Sequence, residues 1–130
     1  MRHPKLVEWD NKFKSMFDEI DDYLEDKYHG RFSLHPNRAE RGQTSNKSAD
    51  GLFNVGVSFS AGYGSEYGRG YVVEISLSTL ENISNEVRKQ IEDEVVQQIE
   101  QRLPHFFPDR ELQVDKDGRA LKIYGDLSLR

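Results

Sequence analysis

The residues best suited to bind a charged ligand are the bases that follow the first predicted helix. Between residues 29 and 47 the chain carries three arginines, one lysine and two histidines against a single acidic residue, Glu40. The planar guanidinium group of arginine matches the oxygens of carboxylates and phosphates. The candidate anion-binding residues of this basic loop are Arg31, His35, Arg38 and Arg41.

A second interpretation of the basic loop needs no ligand. The helix predicted before it carries many carboxylates, and opposite charges that lie close in sequence usually neutralise each other. Bases that pair with these carboxylates would hold the loop against the helix. The sequence alone leaves both interpretations open.

A glycine-rich segment between two predicted strands is the second candidate site. Residues 62 to 70 read Gly-Tyr-Gly-Ser-Glu-Tyr-Gly-Arg-Gly. Glycine permits sharp turns and close approach of a ligand to the backbone amides, and tyrosine at a loop tip suits recognition. No helix follows directly, as a nucleotide-binding loop would require. We predict either a flexible hairpin tip or a loop that covers a ligand or contacts a partner, through Gly62, Tyr63, Gly64, Tyr67 and Arg69.

No residues have the spacing of a catalytic or metal centre. The chain has no cysteine, which excludes thiol catalysis, disulfides and cysteine-ligated metals. The four histidines lack the close pairing that zinc sites favour. We therefore predict no catalytic residue, no metal and no cofactor. A small enzyme remains the alternative, with His35 as a base and Asp50 as its orienting partner.

The elements that position these candidates follow from hydrophobic periodicity. Apolar residues at three- and four-residue steps predict an amphipathic helix over residues 5–28, ended by Gly30. Its carboxylates, Asp18, Asp21 and Asp22 among them, are predicted to form a solvated face. Residues 29–51 show no period and predict an irregular loop.

Alternating polarity predicts the strands of a sheet. Residues 53–61 and 71–78 have a period of two, and short strands are predicted near 112–114 and 121–129, joined by a turn at 116–118. A second helix is expected from a cap at Ser78 or Ser84 to about Leu103, where Pro104 would end it. The order αββαββ predicts one α+β domain over residues 1–130, with two layers: two helices packed on one face of a four-stranded, mostly antiparallel sheet.

The outward face of the first hairpin carries few charged residues. Its first strand presents Asn54, Gly56, Ser58 and Ser60 in a chain that is 32% charged. Small uncharged side chains permit close approach of another surface. We expect this face to be covered by the basic loop or by a second subunit, which would make a homo-oligomer; an ordinary solvated face is the alternative.

Composition narrows the functional classes. The net charge of −5 argues against binding extended nucleic acid. No apolar run is long enough to span a membrane, and the charged start of the sequence is unlike a signal peptide, so we expect a cytoplasmic protein. We predict a small non-enzymatic binding or assembly module that engages an anionic group or acidic partner through the basic loop. The alternatives are an enzyme acting on a phosphorylated or carboxylated substrate, held by Arg31, Arg38 and Arg41, and a purely structural homo-oligomer.

Overall fold

The order of helices and strands agrees with the sequence prediction. The computed structural model describes residues 4–44, 50–60, 70–117 and 120–127. The elements are α1 (Pro4–Lys27), β1 (Phe53–Ser60), β2 (Gly70–Leu77), α2 (Asn85–Phe106), β3 (Leu112–Asp117) and β4 (Ala120–Gly125). The strands form one antiparallel sheet in the order β1-β2-β4-β3, with β1 and β3 at its edges. The predicted α+β architecture is confirmed.

Helix α1 packs on the sheet through its predicted apolar stripe. The ring of Phe13 lies 4.4 Å from that of Tyr71 on β2 and 4.7 Å from that of Phe107 after α2, measured between centroids. Burial of such side chains is the main force that holds the two layers together. The buried apolar residues of α1 are Trp9, Phe13, Met16, Phe17, Ile20 and Leu24.

One residue of the predicted solvated face of α1 is buried instead. Asp21 is only 3% exposed. Asp21 follows Phe13 and Phe17 at four-residue steps, so it lies on the same side of the helix as they do. The prediction that all these carboxylates face solvent was wrong at this position.

Helix α2 begins and ends later than the first signals in its sequence suggest. Its N-cap is Ser84, the second of the two predicted caps, whose hydroxyl accepts a hydrogen bond of 3.2 Å from the N–H of Val87. The helix continues through Pro104 to Phe106, although proline has no N–H to donate to the preceding turn. The N–H of Phe107 then donates to the carbonyl of Leu103 at 2.8 Å. Within the described ranges, neither helix is long and apolar enough to cross a membrane.

The last hairpin is longer on its first strand than predicted. Lys116 and Asp117, which were assigned to the turn, continue β3 and pair with Leu121 and Ala120 of β4. Strand β4 ends at Gly125 instead of reaching residue 129. The predicted turn residue Gly118 and the end of the predicted last strand, residues 128 and 129, lie outside the described residues.

Candidate functional site

Arg41 ties the basic loop to α1. Its guanidinium group donates a hydrogen bond to the carboxylate of Asp22 and lies 3.4 Å from Oδ1 of Asp21. The same group donates to Oδ1 of Asp50, within the loop, at 3.3 Å. One cation is therefore shared among three carboxylates, and this arginine makes the loop-to-helix contact that the second interpretation of the loop describes.

Asp50 organises the basic loop from inside. It is 1% exposed, and its Oδ2 atom accepts hydrogen bonds of 3.1 Å from the N–H of Gly42 and from both the N–H and the hydroxyl of Thr44. Burial alone would raise the pKa of Asp50, but these donors outweigh it and hold that pKa below its ordinary value. The carboxylate is thus occupied by the loop and does not orient His35.

His35 and Arg38 lie beside one shallow depression of about 260 Å³. Nδ1 of His35 accepts a hydrogen bond of 3.0 Å from the N–H of Asn37. Arg38 donates to the backbone carbonyls of Gly51 and Asp50 at 3.1 and 3.2 Å. These two predicted site residues are close together, and Arg38 takes part in holding the loop closed.

The other predicted site residues lie elsewhere. Arg41 lines a separate cavity of about 390 Å³ between α1 and the loop. The guanidinium carbon of Arg31 lies 5.2 Å from the ring centroid of Tyr28 and 5.9 Å from that of Phe32. The predicted glycine-rich site falls outside the described residues, since all its members belong to residues 61–69: Gly62, Tyr63, Gly64, Tyr67 and Arg69.

A groove of about 530 Å³ runs between α1 and the edge strand β1. Residues 54 to 59 form its strand side, while Phe13, Phe17 and Tyr71 give it an apolar lining. Sequence reasoning missed this groove because it depends on β1 being an edge strand beside α1, which no local pattern shows. The charged residues that line it are Asp10, Lys14, Asp18 and Asp21.

The pairing of β1 with β2 determines which backbone groups face the groove. The N–H of Ser78 donates to the carbonyl of Leu52 at 2.7 Å. Because hydrogen-bonded and non-hydrogen-bonded positions alternate along an antiparallel pair, the register makes positions 54, 56, 58 and 60 the hydrogen-bonded ones. The N–H and C=O groups of positions 53, 55, 57 and 59 therefore point to the free edge.

The free edge of β1 is occupied at one end only. The N–H of Phe53 donates to Oε1 of Glu25 on α1 at 2.9 Å. Farther along, nothing outside the sheet in the described chain bonds to the backbone of Val55, Val57 or Phe59. Three consecutive edge positions are thus available to a pairing strand.

The two edges of the sheet differ in their protection. Strand β3 carries charge at residues 115–117, and charged side chains discourage edge-to-edge pairing. Strand β1 has neither a charged residue nor a proline, and its register with β2 is unbroken over eight residues. Phe59 near its end is 45% exposed. Within the described residues, the β1 edge from Val55 to Phe59 therefore lacks the charges and prolines that usually prevent addition of a strand.

The described part of the basic loop does not cover the uncharged outward face. Gly56, Ser58 and Ser76 on that face are exposed. The loop instead joins the end of the sheet, where the N–H of His35 donates to the carbonyl of Ser78 at 2.8 Å. The expectation that the loop covers this face was wrong for these residues, while the expectation of a second subunit stays a prediction.

Asp21 is the buried carboxylate of the groove. Its Oδ1 atom accepts no hydrogen bond, although Arg41 lies within ion-pair distance. Burial raises the pKa of Asp21 to about 7; Arg41 opposes this shift, and the neighbouring Glu25 and Asp22 add to it. In the described chain no three potential ligand side chains are placed to hold a metal ion.

Comparisons with known proteins give relatives without a described activity. A family model with the description "Uncharacterised protein" matches residues 4–125. A protein of Borreliella burgdorferi, also described as uncharacterized, is 34% identical over 125 residues, which cover 96% of this chain and 98% of that protein. No solved structure matches the chain. The residues of the groove and the loop are therefore the evidence for function.

Proposed function

The chain belongs to this family of uncharacterised proteins, and we propose from its geometry that it is a binding module that adds an extended segment of a partner protein to the free edge of β1. The segment would lie in the groove as an additional strand between β1 and α1. The observation that carries the proposal is the row of edge-facing backbone groups at residues 55, 57 and 59. Main-chain hydrogen bonds to such a row are the source of affinity in strand addition.

The size and lining of the groove suit an extended peptide. From Val55 to Phe59 the strand advances about 13 Å, at the usual rise of a β-strand. The groove volume of about 530 Å³ is within the range of ligand sites. The rings of Phe13, Phe17 and Tyr71 at the base of the groove are almost fully buried, so the apolar surface open to a bound strand comes mainly from Val57 and Phe59. This surface favours apolar residues at alternate positions of the segment.

The charge of the groove favours a second protein over a second copy of this chain. Three carboxylates and one ammonium group line it. Symmetric pairing of two β1 strands would bring two such acidic helix faces toward each other, and like charges at close range repel. A segment with net positive charge gains from the same field. The occupant proposed here is therefore a basic, extended segment of another protein.

The contacts of the basic loop favour this groove over an anion site. Arg41 already serves three carboxylates, and Arg38 already donates to two backbone carbonyls. Moving Arg41 onto an external anion would leave Asp50 and its neighbours without their cation. Leaving buried charges uncompensated is strongly destabilising.

The test begins with the selection of short random peptides, displayed on phage, against the immobilised full chain. The selected peptides are then synthesised, and their Kd values are measured by fluorescence anisotropy. Two-dimensional NMR of the labelled chain locates the contact. We expect the largest amide shifts, and slower hydrogen exchange on binding, at Val55, Val57 and Phe59.

Val57→Pro is the variant that tests the edge directly. Position 57 directs its N–H to the groove, so proline removes a donor there without removing a bond to β2. We expect the Kd of the selected peptides to rise at least about tenfold. Phe59→Lys is a second variant, which adds a cation beside the groove and keeps the test open if Val57→Pro does not fold. Its control, Ser76→Lys, adds the same charge on the exposed outward face.

Three results would overturn the proposal. One is the absence of any peptide selected above background. Another is a pair of folded groove variants, checked by circular dichroism, that bind the peptides as tightly as the wild type. The third is sedimentation of the wild type as a dimer that Phe59→Lys dissociates, because the occupant of the edge would then be a second copy.

A further inference from the structure

Asp21 is the residue of the groove whose bonding is incomplete. It is only 3% exposed, and it lines the groove together with the strand residues Asn54 and Val55. Its Oδ1 atom has no hydrogen-bond donor. A buried carboxylate oxygen without a donor is costly, so native proteins normally supply one.

The neighbouring cation does not complete this bonding. Arg41 donates to Asp22 and Asp50, and only approaches Oδ1 of Asp21 at 3.4 Å. Asp50 has three further donors of its own. Of the three carboxylates around Arg41, Asp21 is thus the one held by charge alone, with no hydrogen bond to its Oδ1 atom.

We infer that the partner segment carries an arginine or lysine whose cationic group binds the carboxylate of Asp21. This inference rests on the proposed function. Glu25 contacts the first residue of β1, and Asp21 lies one helical turn earlier, so the cation would enter near the Phe53 end of the groove. Arginine suits the position better than lysine, because its flat fork donates two hydrogen bonds and is more weakly hydrated.

Such a contact would also make binding depend on pH. The pKa of Asp21 is raised to about 7, so near neutral pH part of the population carries a proton there. A bound cation favours the ionised carboxylate and therefore displaces that proton. Affinity should then increase as the pH rises from 6 to 8. The strand side of the groove is uncharged, and the charged groups around Asp21 come from α1 and the basic loop: Lys14, Asp18, Asp22, Glu25, Arg41 and Asp50.

The test uses a selected peptide that contains a basic residue and no histidine, with wild type and Asp21→Asn. We expect replacement of the basic residue by alanine to raise the Kd about tenfold on the wild type. Asp21→Asn should raise it by a similar factor, and the two changes together should add little more. The wild-type Kd should fall several-fold between pH 6 and pH 8, while the Kd of Asp21→Asn should stay level.

The control is Asp26→Asn, which removes an exposed carboxylate of α1 that does not line the groove. It should change the Kd less than about threefold and keep the pH dependence. If Asp21→Asn binds as tightly as the wild type, with an unchanged pH profile, the inference is wrong. The proposed function survives that result as long as Val57→Pro still weakens binding at least about tenfold. If Val57→Pro has no effect, the proposed function itself fails.

Discussion

Oε1 of Glu25 on α1 accepts a hydrogen bond of 2.9 Å from the backbone N–H of Phe53, the first residue of β1. Phe53 is fully buried, so its N–H could not be satisfied by water. The contact fixes the helix across one end of the strand edge and leaves the following edge positions open. The side chain of Glu25 therefore both occupies one end of the β1 edge and marks where the groove begins.

Glu25→Ala should lower the free energy of unfolding by about 1–3 kcal/mol, because it leaves a buried donor unsatisfied. Urea unfolding followed by circular dichroism measures the change. Asp26→Ala is the matched control, since it removes a neighbouring carboxylate that is exposed. It should change the stability by less than about 0.5 kcal/mol. Equal midpoints for the two variants would show that the Glu25 bond does not stabilise the chain.

Gly51→Ala should destabilise the chain more than Gly30→Ala. The two glycines have nearly the same positive φ, 75° and 76°, so alanine meets the same backbone strain at both positions. At Gly51 a Cβ atom would overlap the carboxylate of Glu25, while at Gly30 no atom lies within 4 Å. The overlap displaces Glu25 from Phe53, and we expect an additional loss of about 1 kcal/mol.

A double-mutant comparison isolates this contact. In the Glu25→Ala background the carboxylate is absent, so Gly51→Ala should cost no more than Gly30→Ala. Chemical denaturation of the wild type, the three single variants and the double variant gives the five free energies of unfolding that the comparison needs. An additional loss that persists without Glu25 would place its cause elsewhere in the loop.

Local pattern was sufficient to predict the elements but not the groove. The stripe that contains Trp9, Phe13 and Leu24 repeats at helical steps, and each strand alternates, so both could be identified without tertiary information. The edge position of β1 could not, because it depends on β4 pairing with β2 across the length of α2. Strand order is a property of long-range pairing, which periodicity does not encode.

The site residues show the same division between local and tertiary information. The composition of the basic loop was evident, but its internal contacts depend on Asp50, to which the sequence analysis gave a different role, that of orienting His35. The burial of Asp21 had a signal, since four-residue steps from Phe13 and Phe17 lead to it. That signal was outweighed by its acidic neighbours, which made a solvated face the simpler prediction.

Asp50→Asn should destabilise the chain by about 2–3 kcal/mol at neutral pH, because a charged acceptor of several hydrogen bonds is replaced by a neutral amide. The pKa of Asp50 is lowered in the folded state. Its contribution to stability is therefore present above the unfolded pKa of about 3.9, and it is lost as the pH falls through the folded value. The difference in the free energy of unfolding between the wild type and Asp50→Asn should become smaller below pH 4. Asp26→Asn, at an exposed site, should show no such narrowing in urea unfolding.

Asp21→Asn should produce the opposite pH dependence. The pKa of Asp21 is raised to about 7 in the folded state, so the folded chain holds more protons than the unfolded chain between about pH 4 and pH 7. The wild type therefore loses stability over that interval as the pH rises. The Asp21→Asn variant has no proton to release at this position, so its stability does not fall for this reason. Above pH 7 the difference becomes constant.

The size of this difference is the measurable quantity. Urea unfolding at a series of pH values should show Asp21→Asn gaining about 1–3 kcal/mol on the wild type between pH 4 and pH 8, less than the pKa shift alone would give, because solvent in the groove screens the carboxylate. Asp26→Asn, at an exposed position of α1, is the control variant. If the free energies of unfolding of the wild type and Asp21→Asn change in parallel with pH, Asp21 titrates normally. The pH dependence expected of peptide binding would then lose its physical basis.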